Sequence, residues 1–461
     1  MLPGPAPGRL AAFRGAALRL RRHAAPGFAK RRWNHRLARR ARVPRQPARW
    51  TGLGTHLLAA FAPRHRGPGF RSGIHAGRDP GHRRDAPPGR ALAGGPRGEV
   101  TPGKEATRLF RENRFDVLRL AAAWLVLLNH CYPLSGSGGV DVVTRLLRLD
   151  TSGGLGVGIF FAISGYLVTI SAERSASTWD FARRRMLRIY PALATVCVLS
   201  VLVLGPLATK LPVRDYFASA ATWAYLKSAG GFGVAYHLPG VFEGNPSPAV
   251  NGSLWSLPYE LRCYVALALV AALPVSLRVK TLAAVAFLAF ALATRPLVPP
   301  ASPGEKFLGL DYYATKLGLV FAVGASLAAW RQSITATAWH ALGSVALLLL
   351  AVAWTLPFGA WPLVLYALCL PVATLWVAQR ALWLPRIPER MGDLSYGVYL
   401  YAFPVQQLLA QHRVPELGMG AYLAASTAIT VALAAFSWHV VEKRALRFKY
   451  AAPPPAGPNP S

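Results

Sequence analysis

The sequence predicts an all-α protein, a polytopic helical bundle in a lipid bilayer, preceded by a disordered basic N-terminal leader. Three observations predict this fold. Of the 461 residues, 53% are hydrophobic and only 15% are charged, whereas soluble globular chains carry about 25% charged residues. Mean hydropathy is +0.30. From Phe115 onward, apolar runs long enough to cross a bilayer recur along the chain.

Residues 1–112 differ in composition from the rest of the chain. They hold 25 of the 52 Lys and Arg residues but only 5 of the 19 Asp and Glu residues, a net charge of +20. Arg, Pro, Gly and Ala dominate, so the segment buries too little apolar surface to offset its chain entropy. We expect a disordered and dispensable leader. Its basic segment Arg19–Arg42 is compatible with anionic lipid, with nucleic acid, or with a charged tail that has no partner.

Nucleic acid is the partner that the net charge of +33 first suggests. The charge lies mainly in the leader and at the edges of the apolar runs, and no folded basic domain accompanies it. We therefore expect no nucleic-acid partner.

The four cysteines, each in an apolar run without metal-ligand spacing, are interpreted as small buried hydrophobic residues, so neither a metal site nor a disulfide is expected.

The body, residues 113–449, contains about ten predicted membrane helices, and residues 450–461 form a Pro-rich tail. The polar stretch GDLS at 392–395 is interpreted as the start of the ninth helix. The predicted spans lie at about 115–134, 155–172, 189–209, 255–274, 279–298, 312–330, 338–356, 361–379, 394–411 and 420–440.

The distribution of Lys and Arg between the spans predicts the orientation. The connection 173–188 carries five arginines, whereas the long connection 210–254 carries three basic residues over a much longer stretch. Basic residues concentrate in cytoplasmic connections. The bias therefore places 173–188 and both termini in the cytoplasm and 210–254 outside, which also fits an even number of spans.

The first predicted helix carries two residues that are costly inside a bilayer, Arg119 and His130. Eleven positions apart, they share one helix face about 16 Å apart along the axis, and Asp116 is one turn from Arg119 and able to pair with it. A lone arginine that extends to the interface and a lone packing histidine are the alternatives. The two together favour a polar track through the bundle.

Two further pairs attract attention. Arg185 and Arg188 are one turn apart just before the third span. A cytoplasmic location and the binding of a multiply phosphorylated ligand explain these two arginines equally well.

Glu260 and Tyr264 are one turn apart in the fourth span, whose Pro258 suits a first helical turn. The topology places Glu260 in the outer half of the membrane at the depth of His130, where a carboxylate needs a partner. In the second span, Gly156, Gly158 and Gly165 are interpreted as sites of close helix packing.

Six segments, in order, resemble the acyltransferase 3 family of membrane acyltransferases, which modify bacterial surface polysaccharides. They are FDVLRLAAAWLVLLNH, GVGIFFAISGYLVT, FARRRMLRIYP, GSLWSLPYELRCY, LSYGVYLYAFPV and SWHVVEKRAL. The resemblance implies ten helices in the bacterial inner membrane. It also implies cytoplasmic acyl-CoA as donor, with acetyl-CoA as the leading candidate, and a glycan hydroxyl as acceptor. It implies no bound cofactor. The family's functional arginine and histidine correspond to Arg119 and His130, and its paired arginines correspond to Arg185 and Arg188.

These residues suggest a division of roles. His130 is the candidate general base for the acceptor hydroxyl, or forms an acyl-histidine. Glu260 is expected to orient His130. Tyr264 is expected to bind substrate, together with Arg185 and Arg188. Arg119 is expected to hold the donor or the developing oxyanion. A transporter or flippase for the glycan is the alternative, because it too needs charged groups inside the membrane.

Overall fold

The computed structural model describes residues 114–294, 310–334, 337–353, 360–381, 383–385, 387–388 and 391–448. The predicted leader and the Pro-rich tail lie outside these residues. Within the described ranges the chain is all-helical, apart from an isolated bridge between Thr209 and Val241. The prediction of an all-α protein is therefore confirmed.

Ten helices of 15 residues or more occur in the described part of the chain, and each overlaps one of the predicted apolar runs. In chain order they are α1 Phe115–Ser135, α2 Ser152–Glu173, α3 Thr178–Leu199, α4 Leu257–Ala271, α5 Leu277–Ala293, α6 Tyr312–Ala329, α7 Ala338–Ala353, α8 Trp361–Arg380, α9 Ser395–Gln411 and α10 Met419–Ser437.

Six of the described helices are long and apolar enough to cross a membrane. Two of these six are extended by π-helical turns: α3 continues to Ala208, and α10 continues to Arg447. Helices α4, α5, α7 and α9 have 15 to 17 residues, below the roughly 20 residues that span the hydrocarbon core. The chain is thus a helical membrane protein, and the count of about ten spans stays a prediction.

Local sequence explains where several helices begin. The side chains of Thr151, Ser177 and Asp311 each accept a hydrogen bond from a backbone N–H in the first turn of α2, α3 and α6. Such caps satisfy donors that have no partner inside the helix. Pro258 lies in the first turn of α4, as predicted, because its missing N–H is not needed there.

Helix α3 begins earlier than predicted. Arg185 and Arg188 are predicted to lie in the connection before the third span, but the helix already starts at Thr178. The cause is local: the Ser177 cap supports an N-terminal turn upstream of the apolar run. Both arginines therefore project from a rigid helix instead of a loop.

Helix α2 packs closely on two neighbours through glycine, as predicted for the second span. A Cβ atom at Gly156 would collide with the carbonyl oxygen of Ala122 in α1, and one at Gly165 would collide with that of Phe321 in α6. In α6, Gly324 faces the carbonyl of Ala162 in the same way. Small residues allow backbones to approach, which replaces the hydrophobic driving force that is absent between helices in lipid.

The long connection 210–254 is fastened to α9. The Asn245 side chain donates to the main-chain and side-chain oxygens of Gln407, both at 2.9 Å, and the Asn251 side chain donates to the Leu400 carbonyl at 2.9 Å. Within this connection the chain forms three short helical pieces, Val213–Ala218, Ala220–Ala224 and Tyr225–Gly230. All four cysteines are free, as predicted, and all but Cys263 are buried.

Candidate active site

A cavity of about 80 Å³ lies among α1, α2, α3, α4 and α9, with room for several water molecules or a small acyl-sized group. We call the end of the bundle where α1 begins the Arg119 end, and the end where α1 finishes the His130 end. Five of the six residues singled out in the sequence line this cavity, and they come from three different helices, α1, α3 and α4. They are Arg119, Arg185, Arg188, Glu260 and Tyr264.

The carboxylate of Glu260 is held by two hydroxyl groups. Ser164 of α2 donates to Glu260 Oε1 at 3.0 Å, and Tyr264, one turn further along α4, donates to the same oxygen in a short hydrogen bond. The two hydroxyl oxygens are 3.3 Å apart. A carboxylate within a helical bundle needs such donors because lipid offers none. The three side chains form a polar patch on the cavity wall.

Arg119 and Arg188 converge on a carboxylate that the sequence analysis did not select, Asp393. Arg119 Nη1 lies 3.4 Å from Asp393 Oδ2 and, as predicted, 3.4 Å from Asp116 Oδ1. Arg188 Nη2 makes a short contact with the same Asp393 oxygen, and its Nη1 lies 3.9 Å from Glu442 Oε2. One ion-pair cluster, half-buried for the most part, thus connects α1, α3, the residues before α9, and the π-helical turn of α10.

Asp393 is kept ionised by this cluster. Burial opposes its charge, but the Arg188 and Arg119 guanidinium groups and the hydrogen bonds from Ser395 hold the pKa of Asp393 below its usual range. The sequence signal was the GDLS stretch, in which an acidic residue directly precedes an apolar helix in a chain with only 19 acidic residues. Its partner Arg119 is 274 residues away in sequence, so spacing along the chain could not reveal the pair.

A family model described as an acyltransferase domain matches residues 112–439. The chain belongs to the acyltransferase 3 family. It is similar to an O-acetyl transferase of Shigella phage Sf6, with 30% identity over 73% of this chain and 97% of the phage protein. It is also similar to Nodulation protein 10 of Rhizobium leguminosarum bv. viciae, with 28% identity over 73% of this chain and 94% of that protein. The chain is therefore a membrane O-acyltransferase.

A third relative matches a shorter part of the chain. Acyltransferase MdmB of Streptomyces mycarofaciens is 32% identical, over 23% of this chain and 27% of its own length. No solved structure matches the chain. The structure therefore has to be interpreted from its own contacts.

The two arginines of helix α3 that line the cavity, Arg185 and Arg188, are not equivalent. Arg188 is committed to Asp393 and Glu442, whereas Arg185 forms no ion pair with any described carboxylate. Arg185 Nη2 donates to Ser171 Oγ at a long 3.4 Å, and its buried Nε has no hydrogen-bond partner. Buried donors are seldom left unpaired. Arg185 is therefore the arginine of the cavity whose hydrogen-bonding capacity is least used.

His130 lies outside the acyltransferase cavity. Its ring packs edge-on against Phe403, with centroids 5.0 Å apart, and its buried Nδ1 has no hydrogen-bond partner. Tyr399, one turn before Phe403, lines the cavity and hydrogen-bonds Ser256 at 2.7 Å. Tyr399 and Phe403, one turn apart on α9, therefore form an aromatic layer that borders the cavity at Tyr399 and His130 at Phe403.

The expected pairing of Glu260 with His130 is wrong for this structure, since Glu260 bonds Ser164 and Tyr264 and no hydrogen bond joins it to His130. The reason is the depth of α4. A 3-10 turn, Gly252–Ser256, precedes the helix, and Gly252 faces Phe403, the residue that also contacts His130. Glu260 follows eight residues later, about 12 Å further along a helix axis. It therefore lies with the arginines of the cavity and not with the histidine.

The separation of His130 from Glu260 generates a testable prediction. We expect His130→Ala to lower acyl transfer by about 10²- to 10⁴-fold, as for a lost general base. We expect Glu260→Gln to lower it by about tenfold, because neutral hydrogen bonds replace charge-assisted ones. Because the residues occupy different sites, the losses should multiply in the double variant. Transfer rates of the four proteins, at equal membrane abundance, provide the measurement. A double variant no slower than His130→Ala would instead indicate that the two act as one unit.

Proposed function

We propose that this membrane O-acyltransferase transfers an acyl group from acyl-CoA to a hydroxyl group of a cell-surface or exported glycan. Acetyl is the leading candidate for the acyl group. The observation that carries the proposal is the arrangement along α1. Arg119 faces a cavity with two further arginines at one end, and His130 lies 11 residues away towards the other end. The name of the phage relative, O-acetyl transferase, supports an acetyl group and an acyltransferase reaction.

The donor is assigned to the Arg119 end. Acyl-CoA carries several phosphate groups, which guanidinium groups bind through paired hydrogen bonds. Arg185, whose donors are largely unused, is the residue that we assign to a donor phosphate. The thioester carbonyl is then directed into the cavity, where the Arg119 guanidinium group is available to its oxygen.

His130 is assigned to the acceptor. A neutral imidazole can accept a proton at its unprotonated ring nitrogen, which suits a general base. It takes the proton of the glycan hydroxyl as the new C–O ester bond forms, the thioester C–S bond breaks, and the proton is passed on to the CoA thiolate. An acyl-histidine intermediate is the other route to the same products. Either route requires the acyl group to pass the layer of Tyr399 and Phe403. Tyr264 and Glu260 shape the donor side of this path in our proposal.

The reaction itself is tested by transfer of radiolabelled acetyl from acetyl-CoA. Membranes or purified protein are incubated with polysaccharide from the source bacterium, and base-labile label in the polysaccharide and free CoA thiol are measured. We expect both products with the wild type, and neither with His130→Ala at similar protein abundance. A transporter or flippase would form neither product. Wild-type protein that flips glycan but releases no CoA would contradict the proposal.

The donor site is tested at Arg185. We expect Arg185→Ala to raise the KM for acyl-CoA by about tenfold, and Arg185→Lys to restore it only in part, because lysine keeps the charge but loses the planar fork. Arg183→Ala is the matched control, since Arg183 is on the same helix, lies 4.0 Å from Asp180 and does not line the cavity. Steady-state kinetics provide the measurement. Wild-type KM in Arg185→Lys would indicate that charge alone is needed at this position.

The location is proposed to be the bacterial inner membrane, with both termini and the Arg119 end on the cytoplasmic side. The concentration of arginines in 173–188 supports this orientation. Cysteines introduced at the exposed residues Ala176 and Glu243 test it with an impermeant thiol reagent in intact cells. We expect labelling at Glu243→Cys only, with Ala176→Cys labelled after permeabilisation. The wild type, whose cysteines are buried or half-buried, is the background control, and labelling of Ala176→Cys in intact cells would reverse the orientation.

A further inference from the structure

We propose that Asp393 is a positioning residue of the donor site: its carboxylate fixes Arg119 and Arg188 at the Arg119 end of the cavity and leaves Arg185 free for an anionic phosphate group. This inference rests on the proposed function, because it assigns the donor to the same end. Asp393 is two residues before α9 and its side chain is 13% exposed. Both guanidinium groups that it contacts line the cavity.

The two carboxylate oxygens of Asp393 have different partners. Oδ1 accepts from the backbone N–H of Ser395 at 3.1 Å and from the Ser395 hydroxyl, so it fixes the side chain against the first residue of α9. Oδ2 contacts Arg119 and Arg188. Because Oδ1 is held by the main chain, Oδ2 stays at a defined position and acts as a common anchor for the two arginines.

The anchor is itself held by the surrounding backbone. Gly392, just before Asp393, has a φ of 71°, a left-handed conformation that glycine adopts without strain. A side chain there would overlap the indole of Trp438, in the π-helical turn of α10 that also supplies Glu442. Glu442 has a 3% exposed side chain and lies on the other side of Arg188. The position of Arg188 is thus defined from two directions.

Charge distribution explains why this arrangement matters for an anionic ligand. Arg119 has two carboxylates within 3.4 Å, and Arg188 has two within 3.9 Å. Arg185 has no ion-pair partner among the described carboxylates. Without Asp393, the Arg119 and Arg188 side chains would lose their shared anion, repel each other and turn towards other acceptors. A donor held by Arg185 would then meet a displaced Arg119.

The test uses Asp393→Asn in the full-length chain, because asparagine keeps the shape and the acceptor for Ser395 but removes the charge from Oδ2. We expect kcat/KM for acetyl-CoA to fall by about 10- to 100-fold, as is typical of a misplaced binding group. Most of the loss should be in the KM for acetyl-CoA, with the KM for the glycan within about twofold of the wild type. A merely structural role would affect both KM values equally, or only the amount of protein.

Asp311→Asn is the matched control. Asp311 also caps a helix, by accepting from Ala314 N at 2.8 Å, but its other oxygen contacts the hydroxyl of Tyr259 and no arginine. We expect its kinetics to stay near wild type. If Asp393→Asn does not accumulate in the membrane, Asp393→Glu replaces it, since the charge is kept and the carboxylate moves by one methylene. An unchanged KM for acetyl-CoA in whichever of the two variants accumulates would overturn the proposal.

A triple variant separates positioning from direct contact with the donor. If Asp393 acts through Arg119 and Arg188, then adding Asp393→Asn to the Arg119→Gln, Arg188→Gln double variant should hardly lower activity further. A further loss as large as that of Asp393→Asn alone would mean that Asp393 works independently of the two arginines and would overturn the proposal. Wild-type protein that transfers no acetyl from acetyl-CoA would refute the proposed function itself, and this outcome is visible before any variant is compared.

Discussion

The sharing of one carboxylate by Arg119 and Arg188 is the interaction on which the Arg119 end of this bundle depends. A charged side chain inside a membrane protein needs a partner within the protein, since lipid supplies none. Here Asp393 meets both arginines, and Glu442 meets one of them from the opposite side. The pairing therefore determines which parts of α1, α3, α9 and α10 come together. It also gives the cavity a rigid charged end.

The cavity and His130 divide α1 into two functional regions. Arg119 lines the cavity, whereas His130 packs on Phe403, which forms the aromatic layer together with Tyr399. The spacing of 11 residues corresponds to about 16 Å along the helix. The arginines that we propose for the donor and the histidine that we propose for the acceptor therefore lie apart in this conformation. In the proposed reaction, the acyl group has to move between them.

Close packing around α2 explains why the cavity is small. Glycine contacts bring α2 against α1 and α6 at backbone distance, so only the sector facing α3, α4 and α9 remains open. Ser164, on this sector, meets Glu260 and Tyr264 and gives the wall its polar patch. The same helix thus tightens the bundle on one side and contributes to the site on the other.

The helices were predictable because apolar composition, capping residues and glycine or proline at helix ends act over a few neighbouring residues. Each predicted run overlaps an observed helix, and Pro258 begins α4 as expected. The start of α3 was missed because the Ser177 cap, a weak local signal, outweighs the polar composition of the first turns. The number of membrane crossings was less predictable, since several apolar helices are too short to decide it by length.

The sequence by itself determined the residue types that a buried polar site requires, and it identified five residues that meet in one cavity. The tertiary structure decided how they pair. Glu260 was expected beside His130, but the turn before α4 places it with Ser164 and Tyr264 instead. Arg185 and Arg188 look alike in sequence, yet only Arg188 meets carboxylates. Asp393 reaches Arg119 across 274 residues. Such partnerships depend on the depth and rotation of separate helices, which packing between them sets and no local pattern encodes.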